Sequence, residues 1–212
     1  MNDPRVNDLL KWSIENSEAS RKDPNAPKPK TKFNPSILEQ MLGGAAPPSD
    51  AETMKNRMAM VTSADTTIEQ KRRALEDFET LVQGIDNANN IEALRLWTPL
   101  VEQLEHKDAG VRMWAAWSVG TAVENNVKAQ KRLLVVGGIP TLVKLATEDP
   151  DMTVRKKAIR ALSGVSRNFQ PGLDAVVAHV PASFKPQGSL NAGDMSAVDS
   201  VIQPLRENAQ RA

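Results

Sequence analysis

The chain has 212 residues, 40% of them apolar, with 27 basic and 26 acidic side chains, a net charge of +1 and no cysteine. That balance excludes a whole-molecule field suited to nucleic acid or an anionic membrane, and the lack of thiols excludes a disulfide framework or a thiolate centre. The opening MNDPRVNDLLKW carries charges where a secretory leader has its apolar core. No run approaches the roughly 18 apolar residues of a membrane helix, so the expectation is a soluble, cytoplasmic protein.

The first 49 residues read as a flexible arm, too poor in apolar side chains to offset the entropy of ordering them. Within the arm, VNDLLKWSIENS predicts a short amphipathic helix with Val6, Leu9, Leu10 and Ile14 on one side. The segment RKDPNAPKPKTKFNP then predicts an extended, solvated stretch. Its KPKTK run is too short to specify a nuclear-import or phosphate patch. SILEQMLGGAAPPSD predicts a helical turn or two and a Gly/Pro linker.

From residue 50 to 212 the pattern is helical throughout. TTIEQKRRALEDFETLVQGID predicts a long helix opened by a threonine cap, with Leu75, Phe78, Val82 and Ile85 at helical spacing. NIEALRLW and TPLVEQLEH follow, with Pro99 near a helix start. Gly137-Gly138 and the prolines at 99, 140, 150 and 171 punctuate short helices. QKRR (Gln70–Arg73) reads as a solvated charged face.

The organising feature is an internal repeat. VRMWAAWSVGTAVENN begins at Val111 and VRKKAIRALSGVSRNF restarts at Val154, a period of 43 residues. Val111 aligns with Val154, Arg112 with Arg155, Ala115 with Ala158 and Asn125 with Asn168. Units of about 40–47 residues built from two or three helices specify a HEAT or armadillo stack, in which neighbouring units share one core. The expected architecture is therefore an all-α, right-handed armadillo/HEAT-like solenoid. It has about three repeats, a flexible N-terminal arm and a C-terminal capping helix. Val111, Ala115, Ala116, Val119 and Ala122 form a small-residue stripe for close helix packing. Trp114 and Trp117 fall off that stripe, either filling gaps between units or lining a binding face.

Three blocks carry a resemblance: DNANNIEALRLWTPLVEQL, GTAVENNVKAQ and AIRALSGVSRNF. They resemble the armadillo-type nucleotide exchange factors of the 70-kDa heat-shock protein chaperones. The opening LLKWSIENS and ILEQMLGG are similar to the fungal cytosolic branch. The resemblance implies a protein that clasps the ATPase domain of the chaperone and favours its open form, so that ADP leaves faster. It also implies an arm that helps clear polypeptide from the chaperone. The short tail after SRNF departs from a pattern that usually runs on into a further helical unit.

No catalytic or metal constellation is legible. His106 and His179 are the only histidines and lack metal-ligand spacing; His106 reads as a solvated loop residue. Gly43-Gly44 and Gly137-Gly138 lack phosphate-cradle surroundings. The expectation is a monomeric non-enzyme without cofactor, metal or nucleotide of its own, binding neither nucleic acid nor membrane. Candidate contact residues fall in two groups. Glu79, Trp117, Thr121 and Arg160 are expected on the concave face of the long helices. Asn87, Ala88, Asn89 and Asn90, then Glu124, Asn125 and Asn126, then Arg167 and Asn168, are read as equivalent helix ends along one edge. There the asparagines either cap helices or present a polar partner surface. Ala88 is read as a surface position whose small side chain admits a partner. The competing class is a generic armadillo adaptor for an extended peptide. Its mark would be a Trp-x-x-x-Asn pattern in successive long helices, and Trp117 is followed instead by Thr121.

Overall fold

The computed structural model describes residues 4–22, 27–31 and 48–210. The chain divides into two compact units, Met1–Pro47 and Pro48–Ala212.

In the first unit, α1 (Pro4–Glu15) and α2 (Glu18–Lys22) are helical. Hydrophobic spacing predicts α1, and its Leu10 and Ile14 are exposed. Ser17 Oγ accepts the Ser20 N–H at the start of α2. Residues 27–31 have no regular structure. The Glu15 carboxylate accepts the N–H groups of Thr31 (2.8 Å) and Lys30 (3.0 Å). These hydrogen bonds, Thr31 foremost, favour the ionised form and lower the Glu15 pKa. The turns expected over SILEQMLGG lie outside the described residues.

The second unit is an all-helical, armadillo-like stack, with no strand among the described residues. Its elements are α3 (Asp50–Thr62), α4 (Ile68–Val82), α5 (Ile85–Ala93), α6 (Trp97–Glu102), α7 (Ala109–Val123), α8 (Val127–Val135), α9 (Gly138–Glu148), α10 (Met152–Ser166), α11 (Gln170–His179) and α12 (Met195–Gln210). Short polar side chains start most of the longer helices by accepting otherwise unpaired N–H groups. Ser49–Glu52 and Thr67–Gln70 form reciprocal capping boxes. Asp108, Asn126 and Asp151 cap α7, α8 and α10.

The repeat registers in space as it does in sequence. The long helices α4, α7 and α10 run parallel, since Arg72 meets Asp108 and Arg112 meets Asp149 near their starts while Thr121 meets Glu79 and Arg160 meets Glu124 further along. Their contact is close because it is made by small residues. Val111, Ala115, Ala116, Val119 and Ala122 are all fully buried, and a Cβ on Gly120 would lie 3.4 Å from the Ala161 backbone. At Gly172 no side chain fits at all, because a Cβ there would stand 2.1 Å from the Val165 carbonyl oxygen. One core, from Met54 to Ala209, continues through every repeat.

The last helix differs from its predecessors. Arg155, near the start of α10, donates to the Ala209 carbonyl near the end of α12. Arg167, just past the end of α10, donates to Asp199 near the start of α12. α12 therefore packs antiparallel on α10 and caps the stack, and does not continue the series of parallel long helices.

Charged clasps tie successive repeats together at the amino-terminal turns of the long helices. Arg72 bonds both oxygens of Asp108, at 2.9 and 2.6 Å, and Arg112 does the same to Asp149, at 2.7 and 3.0 Å. QKRR is a solvated face, with Gln70, Arg72 and Arg73 exposed, and three of its side chains nevertheless make defined bonds. Gln70 closes a capping box, Lys71 donates to the Val61 and Ser63 carbonyls, and Arg72 makes a clasp. His106 is half-buried, not solvated, and its Nδ1 accepts the Asp108 N–H at 3.0 Å. Burial, and secondarily Lys71, lower its pKa.

Candidate partner-binding face

The carboxyl-terminal halves of the long helices assemble five of the residues singled out in the sequence. Glu79 from α4, Trp117 and Thr121 from α7, Glu124 just beyond it, and Arg160 from α10 line one open cavity of about 480 Å³, joined by Gln83. They converge because each lies one or two positions off its helix's buried stripe, in repeats held in register. Glu79 is only 4% exposed. Its two oxygens accept from Thr121 (2.7 Å) and Gln83 (3.1 Å), which is how a buried carboxylate is kept satisfied. Arg160 and Glu124 pair at 2.8 Å in a much more exposed setting.

The two adjacent tryptophans form one object. Their rings stack with centroids 4.8 Å apart and planes within 5°, and Lys157 Nζ sits 2.8 Å from the Trp117 centroid. Burial, then the neighbouring Arg160, lower the Lys157 pKa. Both indoles are half-buried. Trp114 packs against the core, whereas Trp117 forms part of the cavity wall. Trp97, by contrast, is a core residue, 1% exposed. The sequence reading omitted Gln83 and Lys157. The repeat gives a signal for Lys157, which follows the alignment partner of Met113, four residues before Trp117.

The asparagine-rich edge does not form one array. Asn87, Ala88, Asn89 and Asn90 lie inside α5, which starts at Ile85, and not at the end of a long helix. The true counterparts of Glu124-Asn125-Asn126 and Arg167-Asn168 are Gln83-Gly84, which follow α4. Ala88 is 2% exposed, so the expectation of an open surface position is corrected. Asn87 donates to Asp50 and to the Leu81 carbonyl, and Asn89 lines a separate cleft with Trp97 and Lys128. Asn125 and Asn168 adopt left-handed backbone angles, with φ of 53° and 54°, the conformation that ends helices. Asn126 is buried and caps α8. Capping thus accounts for these three asparagines. Arg167 lies beyond the cavity, bonded to Ser163 and Asp199.

Comparison with known proteins adds to this geometry. Residues 6–91 match the family model described as nucleotide exchange factor Fes1, and residues 87–178 match the SIL1/FES1/HPBP1 C-terminal domain. The chain is 47% identical to the Hsp70 nucleotide exchange factor FES1 of Gibberella zeae, covering all of both chains. It is 44% identical to the protein of that name from Coccidioides immitis, over 97% of this chain and 98% of that one. The tail set apart in the sequence reading is thus covered in these relatives. Two engineered proteins solved by the Northeast Structural Genomics Consortium share the fold. Their TM-scores are 0.59 and 0.58 at 20% and 19% identity, with 96% and 97% of this chain covered and 78% and 48% of theirs.

Proposed function

We propose, because this chain belongs to the Fes1 family of nucleotide exchange factors, that it binds the ATPase domain of an Hsp70 chaperone and accelerates ADP release. The observation that carries the reading is the long-helix cavity, where Trp117, Thr121, Glu79, Glu124 and Arg160 meet. A half-buried aromatic stack beside satisfied polar groups has the make-up of an interface hot spot.

The mechanism requires no reactive group. A partner that binds the open, ADP-poor chaperone more tightly than the closed one lowers ADP affinity by the same coupling factor. A 100-fold acceleration corresponds to only about 2.7 kcal/mol of barrier. A stack with one continuous core suits that task, because deforming it to fit the closed chaperone would disturb packing in every repeat. On this reading the chain acts as a cytosolic monomer, is not an enzyme and holds no nucleotide itself. Residues 1–49 serve as a client-release arm, supported by the exposed Leu10 and Ile14 on α1.

The test is stopped-flow release of fluorescent ADP from an Hsp70 ATPase domain, with and without this protein, beside calorimetry of the protein alone with ADP. Accelerated release and no heat of nucleotide binding are expected. An unchanged release rate, or micromolar nucleotide binding by the isolated protein, removes this function.

A further inference from the structure

Beyond the tryptophan cavity, α7, α10 and α12 enclose a second recess of about 550 Å³. Its walls carry four cations, Lys156, Arg160, Arg167 and Arg206, against the single carboxylate of Glu124. That is a local concentration of charge in a chain whose net charge is only +1. Two of the cations are committed internally, Arg160 to Glu124 and Arg167 to Asp199. Lys156 and Arg206 are exposed, and neither has a hydrogen bond or ion pair among the described residues. Gly120, Ser163 and Gly164 contribute small residues to its lining, beside the buried Ile159.

The recess has a length as well as a charge. Lys156, Arg160 and Ser163 follow one another at helical spacing along one face of α10, and Arg167 follows as its C-cap. At about 1.5 Å per residue they span roughly 17 Å. An extended polypeptide of about five residues covers the same distance. Because α12 runs antiparallel to α10, its late residue Arg206 returns to the Lys156 end, while Asp199 stays at the Arg167 end. The uncommitted positive charge therefore gathers at one end of the slot.

We propose that this recess takes an acidic polypeptide segment of the chaperone, with carboxylates meeting Lys156 and Arg206. The inference rests on the exchange-factor reading and names the chemistry of the partner surface. A short acidic segment fits better than a nucleic acid. Glu124 holds Arg160 midway along the slot and Asp199 holds Arg167 at its far end, so the uncommitted positive charge is too short a patch for a row of phosphates.

The test uses the full chain and its Lys156→Glu/Arg206→Glu double variant, with Lys156→Gln/Arg206→Gln as the milder pair. Both side chains are exposed and unpaired, so all three proteins should melt alike. Three probes are titrated by fluorescence anisotropy: an Hsp70 ATPase domain, a labelled hexaglutamate peptide and a labelled octauridylate. Expected for the wild type is hexaglutamate binding that weakens several-fold between about 50 and about 200 mM salt. The charge reversal should reduce affinity for peptide and ATPase domain by about tenfold or more, with the glutamine pair in between. Wild-type-like binding of the ATPase domain by the reversal variant overturns the inference and leaves the exchange reading intact. Tighter binding of octauridylate than of hexaglutamate also overturns it. A wild type that neither binds the ATPase domain nor speeds ADP release, yet holds hexaglutamate through Lys156 and Arg206, removes the exchange reading and retains the recess as an acidic-segment site.

Discussion

Replacing Arg112 by alanine tests the physical account of how the repeats are held in register. Arg112 forks onto Asp149 at 2.7 and 3.0 Å and donates to the His106 and Lys107 carbonyls, both at 2.9 Å. The side chains are 12% and 3% exposed. Removing the guanidinium leaves a buried carboxylate whose remaining donor is the Asp151 N–H. Breaking such a pair from one side costs about 3–5 kcal/mol, a large share of the roughly 5–15 kcal/mol that stabilises a domain. With a urea slope of about 2.5 kcal/mol/M, the midpoint should fall by about 1.5 M. Substituting both partners, Arg112→Met with Asp149→Leu, should recover much of that loss, because no stranded charge remains. Arg72→Ala, at the more exposed clasp, should shift the midpoint far less. The assay is equilibrium urea unfolding followed by helical circular dichroism. A midpoint change under about 0.4 M for Arg112→Ala, or a double variant worse than the single one, would refute the claim that a buried charge is being stranded.

Three further outcomes are expected. Ala88→Arg should lower the melting temperature markedly, at about 2–4 kcal/mol for an overpacked core and an unpaired charge; unchanged melting with weakened chaperone binding would restore it to the surface. Below its ordinary value of 3.8, Asp108 is held down to about 2, chiefly by the Arg72 guanidinium and then by the Val111 N–H. The folded pKa is the lower one, so its stabilisation is fully present above about pH 5 and fades as pH falls from about 4 towards 2. A pH series of melting temperatures should show a smaller acid-induced drop in Asp108→Asn over that window, and parallel curves would contradict this. Trp117→Ala should slow the assisted release of ADP by about tenfold or more, while the lost stack and cation contact cost about 1–3 kcal/mol of stability. Undiminished exchange would take Trp117 out of the contact surface.

What the sequence disclosed depended on how many repeats spoke for each residue. The stripe from Val111 to Ala122 recurs in α10, so its burial and the exposure of its neighbours follow from one period. That is why Trp117, Thr121 and Arg160 are legible as one face, whereas the burial of Glu79, on α4, is not. The burial of Ala88 is illegible for the opposite reason. α5 has nine residues, too short for a strong period, and Gly84 interrupts a helix that hydrophobic spacing carries on to Ile85. The clasps were concealed by their spacing, since Arg72 and Asp108 are 36 residues apart. Only with the repeat folded does a run of surface charge become an inter-repeat contact. The direction of α12 was also illegible, because an amphipathic helix presents the same face whichever way it runs.

The two kinds of ion pair point to a division of labour along the long helices. At their amino-terminal turns Arg112 and Asp149 are buried, and separating them strands a charge. Toward their carboxyl-terminal ends Arg160 and Glu124 are 45% and 55% exposed, and an exposed pair is typically worth about 0–1 kcal/mol. Contacts that set the register are thus expensive to break, whereas the pair on the proposed binding face is inexpensive to exchange. Arg160 and Glu124 also line both the tryptophan cavity and the cationic recess. A partner carboxylate that captures Arg160 frees Glu124, and a partner cation that captures Glu124 frees Arg160. Either exchange alters the charge of both recesses while the clasped repeats stay in place. One such exchange, at about 0–1 kcal/mol, supplies only part of the roughly 2.7 kcal/mol that a 100-fold change in rate requires, and the rest falls to other contacts of the face. On the proposed function, that exchange would let the face respond to a change in its partner without the stack itself changing shape.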